Sequence, residues 1–136
     1  MLEQENKAIQ RRYFDEINKG NVEFAEKYLS PGAVYHGPMG DWTREEFLEF
    51  HRGMFKAFPD VQIAIEDQIS EGDKVVTRWT VHATHKGELM GISPTGKWVT
   101  ITGIVISRFE NGQEVEAWEE SNTLGLMQQL GVIAPP

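Results

Sequence analysis

Residues 98–122 read WVTITGIVISRFENGQEVEAWEESN, two long runs of alternating character joined at Asn111-Gly112. Asn-Gly is a strong hairpin signal, because both residues tolerate the positive φ that a type I′ turn requires. The stretch therefore predicts an antiparallel hairpin, Trp98–Phe109 followed by Glu114–Asn122. A two-residue loop pairs Glu110 with Gln113, Val105 with Trp118, Gly103 with Glu120 and Ile101 with Asn122. Parity then gathers Val99, Ile101, Gly103, Val105, Trp118, Glu120 and Asn122 on one largely apolar face. Trp98, Thr100, Thr102, Ile104, Ile106, Arg108, Ala117 and Glu119 fall on the other.

Upstream, Val61, Ile63, Ile65 and Ile69 keep period 2, Glu71-Gly72-Asp73 marks a turn, and Val75–His85 reads as a further long strand. Val75, Thr77, Trp79, Val81, Ala83 and His85 share the parity assigned to the inside, an assignment that a β-bulge would reverse. The first 60 residues carry helical spacing instead. Leu2, Ile9, Tyr13 and Ile17 mark one helix with Phe14 alongside, and Lys19-Gly20-Asn21 ends it and caps a second, shorter one. Thr43 and Glu46 form a capping box, with Trp42 and Phe47 as the hydrophobic staple of a third helix that Pro59-Asp60 terminates. Helices followed by a meander predict an α+β domain, residues 1–136, in which N-terminal helices close over a curved antiparallel sheet.

Composition narrows the function. There are 136 residues, 40% of them hydrophobic, enough for one core. No cysteine is present, which removes disulfides, thiolate metal sites and cysteine nucleophiles. Thirteen Lys+Arg against 21 Asp+Glu give a formal charge of −8, which repels a phosphate backbone and argues against nucleic acid. No leader pattern or membrane-length apolar run is read, so a cytoplasmic protein is expected.

The segments Thr84-His85-Lys86-Gly87-Glu88, Gly91-Ile92-Ser93-Pro94-Thr95-Gly96-Lys97, Glu116-Ala117-Trp118 and Leu124–Gly131, in that order, resemble the SnoaL-like polyketide cyclases over nearly the whole chain. The resemblance implies the cone-shaped fold of the nuclear transport factor 2-like superfamily and a homodimer. That superfamily hosts isomerases, dehydratases, cyclases, epoxide hydrolases and binding proteins, so the chemistry has to be argued from the site.

Three polar residues share the expected inner face and form the candidate catalytic set. Glu120 is read as a general base whose pKa an apolar pocket would raise, or else as a paired or solvated glutamate. His85 matches the family's threonine-histidine-x-glycine segment and is read as a proton shuttle, or as a strand-end histidine bonded to backbone. Asn122 stands where the resembled family has its acid/base aspartate. An amide can orient a carbonyl but takes no proton, and it can equally cap the C-terminal helix.

Tyr13, Phe14, His36, His51, Phe55, Trp79, Gly103 and Trp118 are the candidate ligand-binding residues, with Gly103 leaving room opposite Glu120. His51 is open to a second reading as a core histidine. His82 and His85 face opposite ways three residues apart and cannot chelate one ion, so no metal is expected. The expectation is a cofactor-free enzyme moving protons within a small, largely apolar carbonyl compound, as a cyclase, isomerase or lyase. The alternatives are a non-catalytic ligand-binding domain and a purely structural dimer module paired through the outer sheet face.

Overall fold

The computed structural model describes residues 1–135. Four helices and six strands follow the order α1 (Leu2–Asn18), α2 (Val22–Tyr28), β1 (Leu29–Gly37), β2 (Gly40–Thr43), α3 (Arg44–Ala57), β3 (Gln62–Glu71), β4 (Lys74–Thr84), β5 (Trp98–Glu110), β6 (Gln113–Ser121) and α4 (Thr123–Gln129). The strands form one sheet in the order β2-β1-β6-β5-β4-β3. The expected helices-over-sheet α+β architecture is present, with one departure from an antiparallel sheet: β1 runs parallel to β6.

Local chemistry sets the helix boundaries. Asn21 caps α2 by accepting from Phe24 N, and Thr43 and Glu46 complete both halves of the capping box that starts α3. Asn18 at the end of α1 bonds both backbone groups of Ile63, tying the helix to β3. Tyr13, Phe14 and Ile17 of α1, Phe47 and Leu48 of α3, and Val75, Trp79, Val81, Val99 and Val105 of the sheet meet in one core.

The β5–β6 hairpin decides the faces. Asn111 and Gly112 both have positive φ, 51° and 77°, and Glu110 pairs with Gln113 as the turn requires. One step on, Phe109 faces Glu114 but Arg108 faces Glu116, so Val115 is an extra residue. From that bulge onward Ile106 pairs with Trp118, Val105 with Glu119, Ile104 with Glu120 and Gly103 with Ser121. Every later side chain of β6 is thereby moved to the face opposite the one that unbroken alternation assigns. Glu119 turns inward, while Glu120 and Trp118 turn outward.

Candidate functional site

Between α1, α3 and the concave face of the sheet lies a cavity of about 740 Å³. Its walls are mostly aromatic and aliphatic, including Tyr13, Phe14, Tyr35, Trp42, Phe47, Trp79 and Val105. Glu119 reaches it from β6 and is anchored on both carboxylate oxygens. The Tyr35 hydroxyl donates to Oε1 at 2.5 Å and the Trp79 indole N–H donates to Oε2 at 2.9 Å. Burial raises the Glu119 pKa, while the two hydrogen bonds pull it down by less.

Each anchor is itself held. Tyr35 stands on β1 opposite Ala117 and stacks on Phe47 at 4.2 Å between ring centroids. Trp79 lies across Gly103, its strand partner on β5. A Cβ on Gly103 would sit 2.3 Å from Trp79 Cζ2, so the missing side chain is what lets the indole lie flat and aim its N–H at Glu119.

A second polar pair comes from the helices. His51 Nδ1 donates to the Phe47 carbonyl at 2.8 Å, which leaves Nε2 as the acceptor for the Tyr13 hydroxyl. His51 is 2% exposed, and burial pushes its pKa down to about 4, so the ring is neutral at physiological pH. Further along β6, Glu114 is 5% exposed and borders the same cavity. Burial pushes its pKa up to about 7.

The three candidate catalytic residues take other places. Glu120 is exposed on the outer face beside Ile104, because the bulge at Val115 inverts the parity of β6. His85 is fully buried but does not border the cavity. Its Nδ1 accepts from Thr95 N at 3.2 Å, and its backbone bonds Gly96 and Lys97, so it clamps the turn before β5. Asn122 caps α4, its side chain accepting from Gly125 N at 2.9 Å.

Among the ligand-binding candidates, Tyr13, Phe14, His51 and Trp79 line the cavity. Phe55 packs half-buried against the core without reaching it. Gly103 does not leave space for a ligand, since the Trp79 indole fills it. His36 and Trp118 stack on each other at 5.5 Å outside the sheet, with His36 bonded to Asp41 and Glu116. Trp118 misses the cavity for the reason that Glu120 does, and His36, its register partner on β1, lies on the same outer face.

Sequence reasoning missed Glu119, Tyr35, Glu114 and Gln10. One signal was available for the first. Without a bulge Arg108 faces Val115, whereas the bulge sets it opposite Glu116, with which it forms an ion pair at 3.4 Å.

No helix among the described residues is long and apolar enough to cross a membrane. Comparison with known structures finds close likenesses. AclR from Streptomyces galilaeus, a candidate hydroxylase, is 31% identical with a TM-score of 0.92, over 98% of this chain and 85% of that one. IdmH from Streptomyces antibioticus, a candidate polyketide cyclase, is 29% identical with a TM-score of 0.81, over 93% and 98%. A candidate SnoaL-like polyketide cyclase from Jannaschia sp. CCS1 shares the fold at 23% identity and a TM-score of 0.87, over 99% and 96%. No curated protein sequence matches the chain. The family model for SnoaL-like polyketide cyclase matches residues 7–130, and the chain belongs to that family.

Proposed function

We propose that the cavity binds a small, largely apolar, polyketide-like carbonyl compound, and that Glu119 removes a proton from the carbon next to the carbonyl. The observation that carries this reading is the anchored carboxylate: an acid/base group in an apolar enclosure, its pKa moved towards neutrality by burial and both its oxygens aimed by Tyr35 and Trp79. Proton removal gives an enolate. The abstracted proton stays on Glu119, which is placed to return it to the same molecule at another position. Reprotonation elsewhere gives an isomerase, and attack of the enolate on a second carbonyl of the same molecule gives a cyclase.

The likeness to AclR supports a second reading, hydroxylation of the same activated carbon, which shares the deprotonation step and consumes dioxygen and a reductant. Turnover of polycyclic ketones and β-keto esters, followed with and without dioxygen, separates the two. Failure of any such compound to bind in native mass spectrometry would overturn both.

We infer further that two copies of the chain pair through the outer sheet face. Ile69, Val76, Ile106 and Trp118 lie in register across four strands there, and Ile104, Ile106 and Trp118 are exposed. Ile106→Glu should shift the sedimentation coefficient to that of a monomer. An unchanged coefficient would contradict this pairing.

A further inference from the structure

The charge of the cavity and the state of one amide on its wall bear on what the ligand carries. Among the described residues six glutamates border the cavity, Glu45, Glu46, Glu49, Glu88, Glu114 and Glu119, and no lysine or arginine does. Arg44 and Arg52 pair with Glu45 and Glu49 without lining the cavity themselves. A buried anion here would meet no cation and the carboxyl groups of Glu114 and Glu119, which is a heavily unfavourable transfer.

Gln10 of α1 stands on the cavity wall with 2% of its surface exposed. Its Nε2 donates to Ser107 Oγ at 3.2 Å, while its Oε1 is buried with no partner among the described residues. In this orientation Ser107 Oγ accepts from Gln10 and keeps its own hydroxyl proton for another acceptor, while Gln10 Oε1 faces away from it. Tyr13, one turn along the helix, spends its proton on His51 and offers only lone pairs. The α1 wall thus presents hydrogen-bond acceptors, and a buried acceptor left unmatched carries its full desolvation cost.

Resting on the ligand-binding reading above, we propose that the cavity selects a non-anionic compound whose buried end carries a hydrogen-bond donor, a hydroxyl or an ammonium group, seated on Gln10 Oε1. Phosphate esters and free carboxylates are disfavoured by the same charges.

The test uses one ring system with four substituents: naphthalene, 2-naphthol, 2-naphthylmethylammonium and 2-naphthoate, titrated into the full chain and followed by NMR. Naphthol, naphthylmethylammonium or both should bind about tenfold tighter than naphthalene, the increment of one buried hydrogen bond. Which of the two binds tighter identifies the donor. Naphthoate should bind most weakly. In Gln10→Met the donor advantage should vanish while the discrimination against naphthoate persists, and a dispersed spectrum reports that the variant is folded. Equal binding of all four probes, or tightest binding of naphthoate, would overturn the inference while leaving the cavity reading standing. Absence of binding by every probe would remove that reading and the inference with it. Because the wild-type series alone decides the charge and donor preference, the inference stays falsifiable even if Gln10→Met does not fold.

Discussion

Trp79 Nε1 donates to Glu119 Oε2 at 2.9 Å across the intervening strand β5, and Trp79 can do so only because Gly103 between them carries no side chain. The catalytic proposal therefore depends on a β6 carboxylate, a β4 indole and a β5 glycine acting as one unit, and the variants below test its parts separately.

Glu119→Gln removes the base and keeps the shape. Turnover of a carbonyl substrate should fall by roughly 10² to 10⁴, the usual contribution of general acid/base catalysis, while ligand affinity changes little. Glu120→Gln, on the outer face, should leave both unchanged, as steady-state kinetics on the two variants will decide.

Gly103→Ala places a methyl group against the indole and against the Glu120 carbonyl, 2.8 Å away, so neither neighbour can yield freely. We expect a destabilisation of about 1–3 kcal/mol, as for overpacking in a core. The tryptophan emission should also shift and kcat should fall more than KM rises. Thermal melts and fluorescence spectra check the first two.

Glu114 is held protonated more readily in the folded chain than in the unfolded one, its pKa raised to about 7. Its contribution to stability is complete at pH values below the ordinary glutamate pKa and is lost as pH rises through about 7. Glu114→Gln should accordingly be more stable than wild type at pH 8, by an amount on the order of 1–3 kcal/mol. The advantage should shrink towards pH 4, and urea unfolding at several pH values measures it.

His51 titrates in the opposite sense. Its folded pKa, about 4, lies below the unfolded value, so the stability it lends is present above the ordinary histidine pKa and lost as pH falls towards 4. Tyr13→Phe leaves Nε2 as an unpaired buried acceptor and should cost about 1–3 kcal/mol. It should also raise the histidine pKa measured by NMR if water enters to replace the lost hydroxyl.

The fold was largely legible because its signals are local. The capping box at Thr43 and Glu46, the Asn111-Gly112 turn and the period-2 runs of β4 and β5 each fix an element within a few residues. The parallel pairing of β1 with β6 joins segments about eighty residues apart and leaves no such local mark. The site was half legible: the inner faces of β4 and β5 follow simple alternation, and Trp79 was found that way. One inserted residue, Val115, then exchanged Glu119 for Glu120 and sent Trp118 outside. A bulge changes no composition and breaks no periodicity that ten residues rich in glutamate could display. Only the charge match of Arg108 with Glu116 betrays it.

The most direct test of Glu119 as the acid/base group needs no natural substrate. Exchange of the α-protons of a cyclic aromatic ketone such as 1-tetralone in D2O, followed by NMR, measures enolisation itself. Wild type and Glu120→Gln should accelerate the exchange equally, and Glu119→Gln should reduce it to the rate seen without protein. Undiminished exchange in Glu119→Gln, or its loss in Glu120→Gln, would contradict the account.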